Sequence, residues 1–184
     1  MRNDDEAAAA KADNSVRKGG ETRMALYQIG DLLVYGRTGV CRVDALNENA
    51  AQLYYQLHPL YQNCSISIPV GNTKVFMRPI VSAPEAEELI SELPEMEAEP
   101  YYNRNLNQLR EYYREKLDGY SCLSLALFVL SLYRKRREVQ AAGKKFGAVD
   151  ERFLKEAEDL LCGELAAALD TERDEVRRRL TPAQ

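Results

Sequence analysis

The sequence predicts an α+β protein in which a small N-terminal β barrel precedes an all-α helical bundle. Apolar and polar side chains alternate at the period of a strand up to about residue 80. From residue 82 onward the apolar residues recur at helical spacing instead. Ser82 and Glu85 have the separation of a capping box, and Pro84 falls in the first turn, so this change of pattern marks the start of a helix. We therefore place the domain boundary after residue 81.

The first part is predicted to contain five short strands joined by tight turns. The candidate strands are residues 32–35, 40–46, 53–57, 65–69 and 75–77. Gly36 and Gly39 bracket the first turn, where glycine can adopt a positive φ. Turn-forming residues also occur at 47–49 and 71–72. Short strands with such turns are typical of a curled SH3-like or Tudor-like barrel.

The second part is predicted to be helical throughout. The candidate helices are residues 83–93, 103–117, 121–140, 151–168 and about 172–180. Asp150 is the expected N-cap of the fourth helix. The third helix is apolar over residues 123–132, a run too short to span a bilayer, so we expect it to be buried. Residues 134–137 then form a basic run near its end.

Residues 1–23 contain almost no large apolar side chains, so we expect a disordered tail. The segment 18–21 is what a purine-rich ribosome-binding site yields when it is translated, and Met24 is therefore a candidate for the true start. The predicted organisation is a tail over residues 1–23, a β domain over 24–81 and a helical domain over 82–184.

Composition argues against several classes of function. The formal net charge is −4, so any attraction to nucleic acid must come from a local basic patch. The four cysteines show no CxxC spacing and His58 is the single histidine, which predicts no metal site, no cofactor and no catalytic nucleophile–base pair. We expect neither a membrane partner nor a small-molecule substrate. Unpaired, scattered cysteines are typical of the reducing cytoplasm.

Two segments carry a resemblance to a known family. Residues 27–36, with Gly39 and Val40, are similar to its N-terminal signature. Residues 141–146, 150–154 and 157–161 are similar to the helical domain of its clostridial-type members. With both segments in the family's order, the chain from Met24 onward resembles the CarD/CdnL family of bacterial RNA polymerase-binding transcription factors.

The resemblance implies a Tudor-like domain that binds the β subunit of RNA polymerase by pairing a strand edge. The matching strand places this edge at Ile66, Ser67 and Ile68. Family members that bind polymerase tightly carry arginines on the docking strand, and the neighbouring Arg37 and Arg42 are the candidates to replace them. Backbone pairing itself requires no particular side chain.

The resemblance also implies that the helical domain contacts promoter DNA at the upstream edge of the −10 element. There an aromatic residue, usually Trp, wedges into the minor groove and stabilises the open complex. This chain has no Trp, and the spacing to the Tyr112-Tyr113 pair puts the wedge at Tyr102. The basic residues expected to contact DNA are Arg104, Arg110, Arg114, Arg134, Lys135, Arg136, Arg137, Lys144 and Lys145.

Each signal has a second interpretation. The basic run could be a solvated helix end, where positive charge complements the helix dipole. Tyr101 and Tyr102 could both pack against the bundle. The predicted function is a transcription regulator that binds the polymerase β subunit and upstream promoter DNA to stabilise the open complex. The alternative is a protein-interaction adaptor without DNA binding. An RNA-binding Tudor-like module has less support, because the β part shows no platform of basic and aromatic residues.

Overall fold

A five-stranded antiparallel sheet forms the N-terminal domain of the computed structural model, which describes residues 25–49, 52–118 and 121–180. The strands are β1 (Leu32–Tyr35), β2 (Gly39–Asn49), β3 (Gln52–Pro59), β4 (Ile66–Pro69) and β5 (Met77–Pro79). Their spatial order is β4-β3-β2-β1-β5. The predicted β domain is confirmed, but its sheet is not closed, since β4 and β5 lie at opposite edges. The predicted tail over residues 1–23 and the proposed start at Met24 lie outside the described residues.

The core of this domain follows the alternating pattern. Its buried residues are Leu33, Cys41, Val43, Tyr55, Leu57 and Ile68. Several strand boundaries differ from the sequence analysis. Residues 47–49 continue β2 instead of turning, because they pair in register with β3 as far as Asn49 opposite Gln52. The last strand begins at Met77 rather than at residue 75, and it pairs with β1.

Five α-helices follow in the part of the chain that the structure describes, which confirms the predicted helical character of the second part. They are α1 (Ala83–Glu92), α2 (Leu106–Leu117), α3 (Cys122–Ala141), α4 (Ala148–Leu169) and α5 (Arg173–Leu180). The predicted capping box is present at the start of α1: Ser82 Oγ accepts from the Glu85 N–H, and the Glu85 carboxylate accepts from the Ser82 N–H. The apolar run of α3 is mostly buried at the centre of the bundle, where the rings of Tyr113 and Phe153 pack with centroids 5.3 Å apart.

The start of α4 corrects the sequence analysis. This helix begins at Ala148 with Gly147 as its N-cap, so Asp150 lies inside the first turn and does not cap the helix. Asp150 is buried, and its Oδ1 accepts hydrogen bonds from Tyr113 and Lys135. A Cβ at position 147 would lie 2.7 Å from Asp150 Oδ2. Glycine therefore leaves the room that this inward-turned carboxylate needs.

A buried ion pair joins the two domains. Glu164 in α4 is only 2 % exposed. Its Oε2 accepts from Arg78 Nη2 in β5 at 2.7 Å, and its Oε1 accepts from Arg78 Nη1 and from the Val81 N–H. A buried charge is tolerated only when it is paired and hydrogen-bonded, and here both carboxylate oxygens are. The strand that leaves the sheet is thus tied to the C-terminal half of α4.

Further contacts seat the β domain along the same helix. The Tyr61 hydroxyl donates to the Gly163 carbonyl at 3.0 Å, and the Arg173 guanidinium lies 4.4 Å from the Tyr61 ring centroid. Arg37, in the turn between β1 and β2, pairs with Glu156, with Nε 3.0 Å from Oε1. These contacts and the buried pair hold the two domains in one relative orientation.

We expect Glu164→Gln to lower the free energy of unfolding by about 3 kcal/mol, because Arg78 would keep its charge at a buried interface without a carboxylate. Urea denaturation measures this loss. The double variant Arg78→Met/Glu164→Leu removes both charges and should recover most of it. Glu175→Gln disrupts the exposed pair with Arg178 and should cost less than about 1 kcal/mol. Equal losses for the two glutamine variants would contradict the expectation.

Candidate functional site

β4 forms one edge of the sheet. β5, which is linked to α4 through Arg78, forms the opposite edge. Among the described residues, β4 pairs only with β3, with Ser67 opposite Gln56 and Ile68 opposite Tyr55. The Val70 N–H donates to the Leu53 carbonyl at 2.8 Å. The N–H and carbonyl groups of successive residues in a strand point to opposite sides. Those of Ile66 and Ile68 therefore point toward β3, and those of Ser67 point outward.

This edge is short. The ring of Pro69 removes the next outward N–H, and the Pro69 carbonyl accepts from the Asn72 N–H in the following turn. The Ser67 side chain is exposed, while Ile68 is buried in the sheet core and Ile66 is half-buried against it. The edge therefore offers one backbone donor and acceptor pair at Ser67, supported from beneath by apolar side chains.

Residues 27–81, which include all five strands, match the family model of the CarD-like/TRCF RID domain. The β domain is a CarD-like RNA polymerase-interacting domain. This confirms the resemblance carried by the N-terminal signature and gives the protein a role connected with transcription. No curated protein matches the chain. The resemblance of the helical domain to clostridial-type members stays a prediction.

The two arginines expected near the docking strand of the CarD-like domain lie elsewhere. Arg37 faces α4 in its pair with Glu156, and the structure does not bring it to the β4 edge. Arg42 lies in β2, two strands away from β4, and its Nε donates to Asp44 Oδ1 at 2.7 Å. Ile66, Ser67 and Ile68 are therefore together on the edge, without either arginine beside them.

Tyr102 presents an exposed aromatic ring on the helical domain. It belongs to the wedge loop, which we define as residues 96–105 between α1 and α2, and it is 54 % exposed. Its hydroxyl donates to Glu138 Oε2 in α3 at 2.6 Å. Partial burial of the hydroxyl and this hydrogen bond raise the pKa of Tyr102 to about 12, so the phenol is neutral at physiological pH. The ring can meet a partner without an unpaired hydroxyl.

Tyr101 does pack against the bundle. Its ring stacks on Tyr112 in α2 with centroids 3.9 Å apart, and its hydroxyl accepts from Asn103 Nδ2. The packing interpretation therefore holds for Tyr101, whereas the neighbouring Tyr102 faces solvent. Tyr113, also in α2, belongs to the core and is 1 % exposed.

The basic run is not a continuous exposed surface, which corrects the sequence analysis. Arg134 donates to the backbone carbonyls of Met96 and Ala98 and so fixes the start of the wedge loop. Arg136 Nη2 donates to both carboxylate oxygens of Glu151, at 2.8 and 2.9 Å. Arg137 is the member of the run whose side chain stands exposed.

Lys135 is the clearest departure from the predicted DNA contacts. It is 4 % exposed, and its Nζ lies 2.8 Å from Asp150 Oδ1 and 3.0 Å from the Tyr113 hydroxyl. The Tyr113 hydroxyl donates to the same carboxylate oxygen at 2.6 Å. Burial and this hydrogen bond raise the pKa of Tyr113. We call Lys135, Asp150 and Tyr113 the buried triad; it joins α2, α3 and α4.

The roles of Asp150, Tyr113 and Glu138 around Tyr102 were not predicted from the sequence. A signal for the buried triad was present in α3. Leu125, Phe128 and Leu132 recur at the spacing of one helical face, and Lys135 is the next position of that stripe. A lysine on an apolar stripe requires an acidic partner inside the bundle.

The remaining predicted cations are at least partly exposed. Lys144 follows α3, and its N–H donates to the Val139 carbonyl, so it lies at the same helix end as Arg137. The Tyr102 hydroxyl reaches this end too, through Glu138. The cations of the helical domain that are exposed or half-exposed and were predicted to contact DNA are Arg104, Arg110, Arg114, Arg137, Lys144 and Lys145. We refer to this set of residues, together with Tyr102, as the wedge surface.

Within residues 25–49, 52–118 and 121–180, no group of three His, Cys, Asp or Glu side chains is arranged to hold a metal ion. In the same described residues, no helix has both the length and the apolar character needed to cross a membrane. The described cysteines include Cys41 and Cys162, and burial raises the pKa of both thiols, to about 12 and about 11. Neither is poised to react as a thiolate at neutral pH.

We expect Lys135→Met to lower the free energy of unfolding by about 3 kcal/mol, because the Asp150 carboxylate would stay buried without a cation. Arg137→Met is the matched control in the same helix and should change it by less than about 0.5 kcal/mol, since Arg137 is exposed. Chemical denaturation of both variants gives the comparison. Similar small effects would mean that Lys135 is not the buried partner of Asp150.

Proposed function

We propose that the protein is a transcription regulator that docks on the β subunit of RNA polymerase through the β4 edge and applies the wedge surface to promoter DNA just upstream of the melted region. The observation that carries the proposal is the presence, in one chain, of an RNA polymerase-interacting domain and an exposed aromatic ring with a paired hydroxyl. Such a factor acts beside polymerase in the bacterial cytoplasm.

Docking by strand addition fits the chemistry of the β4 edge. An extended segment of the β subunit would exchange hydrogen bonds with the outward N–H and carbonyl of Ser67, and main-chain bonds of this kind supply affinity without needing the arginines. The half-buried Ile66 supports the strand from the core side. Arg42, exposed on β2, is available for a lateral contact once it leaves Asp44.

Tyr102 fits the role of a minor-groove wedge. An inserted aromatic ring unstacks a base step and holds the duplex in a kinked form. A tyrosine has less stacking area than Trp and carries a hydroxyl that must be satisfied. Glu138 satisfies that hydroxyl from within the protein, which leaves the ring face for the DNA.

The cations of the wedge surface would position the DNA without reading its sequence. Arg137, Lys144 and Lys145 cluster at one end of α3, and phosphate contacts from such side chains weaken as salt is added. The acidic residues of segment 85–99 would repel DNA on their side of the domain. Attraction at one end and repulsion at another orient the bundle on the duplex.

The mechanism is a shift of the equilibrium between closed and open promoter complexes. A factor that binds the melted upstream fork better than the closed duplex stabilises the open state by that difference in binding free energy. Whether the result is activation or repression depends on which step limits a given promoter.

One observation favours an adaptor that binds polymerase without DNA. Arg134, Lys135 and Arg136 are all engaged by acceptors inside the protein, which lowers the positive potential that the sequence suggested. The adaptor would use the same β4 edge but would not depend on Tyr102. The variants below separate the two functions.

We expect Ser67→Pro to abolish retention of the polymerase β subunit in a pull-down with purified polymerase, because proline removes the outward N–H of the docking edge. The bond network with β3 does not use that N–H, so the sheet should stay intact, and circular dichroism checks this. Ser67→Ala is the matched control; it keeps the N–H and should retain polymerase like the wild type. Retention of polymerase by a folded Ser67→Pro variant would rule out docking at this edge.

We expect Tyr102→Ala to reduce the factor's stabilisation of open complexes by about tenfold, which corresponds to the loss of one base–aromatic stack. Permanganate footprinting of the melted promoter strands, or a fluorescent base at the upstream fork, measures the open fraction. Tyr102→Phe keeps the ring and should retain most of the effect. If Tyr102→Ala opens promoters like the wild type while Ser67→Pro still loses polymerase, the adaptor is the correct function.

A further inference from the structure

We propose that Lys135 is a positioning residue for Tyr102: from inside the bundle its ammonium holds the exposed ring in the orientation that meets DNA. The inference rests on the proposed function for the purpose of this orientation, but the orientation itself can be tested without DNA. It assigns a role to a lysine that lies in the basic run and yet does not reach solvent.

The geometry places the ammonium against the ring. Lys135 Nζ lies 4.9 Å from the Tyr102 ring centroid, within the range of a cation–π contact. Lys135 itself is 4 % exposed, so water does not screen this contact well. Tyr102 thus has one side against a buried cation, while more than half of its surface remains exposed.

The hydrogen bonds of the ammonium leave one proton for the ring. A lysine ammonium carries three donors. One is directed to Asp150 Oδ1 at 2.8 Å and a second to the Tyr113 hydroxyl at 3.0 Å. The third proton has two rings within reach, and the Tyr102 centroid, 4.9 Å from Nζ, is closer than the Tyr113 centroid at 5.6 Å. The Tyr102 ring is therefore the nearer π face for this proton.

Stability alone does not account for the buried triad. Well-packed apolar side chains often replace a buried ion pair at no cost in stability, so Lys135 and Asp150 are not required to close the core. A paired charge does fix position and direction better than an apolar contact can. Here the triad joins three helices. Its lysine also contacts the ring of Tyr102, the wedge-loop side chain that is proposed to enter DNA.

Two contacts then fix the orientation of the Tyr102 ring. Lys135 acts on its face, and Glu138 accepts the hydrogen bond from its hydroxyl. Ordering a side chain before binding removes an entropy cost that would otherwise reduce affinity. We expect the preordered ring to strengthen fork binding by about fivefold relative to a mobile one.

The direct test is the ring mobility of Tyr102 without DNA. Proteins labelled with ¹³C at the tyrosine ring are compared by NMR relaxation, and Tyr102→Phe identifies the Tyr102 signal. In Lys135→Met the order parameter of the Tyr102 ring should fall below about 0.6, the flexible range, while that of Tyr112 stays unchanged. Glu138→Gln is the matched control, because it keeps an acceptor for the hydroxyl and leaves the cation in place.

A second variant covers the case in which Lys135→Met does not fold. Lys135→Met/Asp150→Leu removes both buried charges and so leaves no unpaired carboxylate in the core. Its Tyr102 ring should be as mobile as in the single variant. An unchanged Tyr102 order parameter in either folded variant overturns the proposal.

A coupling experiment links position to promoter opening. The lysine substitution should reduce open-complex stabilisation by about fivefold with Tyr102 present and have no effect in a Tyr102→Ala background, because a positioning residue acts only through the ring that it positions. Equal losses in both backgrounds would show an independent structural role and overturn the proposal. If Tyr102→Ala alone has no effect, the proposed DNA function fails, while ring mobility still decides the role of Lys135.

Discussion

The carboxylate of Glu164 fixes the relation between the two halves of the molecule. It lies in the C-terminal half of α4, and it accepts hydrogen bonds from Arg78 in β5 and from the Val81 N–H in the connection that follows. Moving either domain would expose Arg78 or leave Glu164 unpaired inside the protein, and both changes are costly. The β4 edge and Tyr102 therefore keep a fixed separation, so in the proposed complex the docked edge would determine where the ring can reach.

Buried charges have a second use at the other end of the helical domain. Lys135 and Asp150 join α3 to the first turn of α4, where the positive end of the helix dipole favours a carboxylate. Gly147 makes this possible by leaving space beside the carboxylate. The cation that results lies beneath Tyr102. Each half of α4 thus carries a buried salt bridge: the first turn pairs with Lys135 beneath Tyr102, and the C-terminal half pairs with Arg78 of the β domain.

The sequence predicted the elements better than their tertiary relations. Apolar periodicity and the capping box at Ser82 depend on near neighbours, and both were correct. Closure of the sheet depends on whether β4 and β5 pair, which no local pattern encodes, and the strands remain apart. The same reason explains the basic run: whether Lys135 meets solvent or Asp150 depends on how α3 packs on α4. Tyr101 and Tyr102 are adjacent and of the same type, and only their tertiary contacts distinguish them: Tyr101 stacks on Tyr112, whereas Tyr102 is hydrogen-bonded to Glu138.

Pro69 has a consequence for how many partners the sheet can hold. By ending the outward row of donors next to Ser67, it leaves space for one short extended segment and no continuous template along which many strands could add. A second copy of the protein and a segment of polymerase would compete for that single place. If polymerase docks at this edge as proposed, occupancy of the edge is a one-to-one event, and a second copy that paired there would block docking instead of extending the sheet.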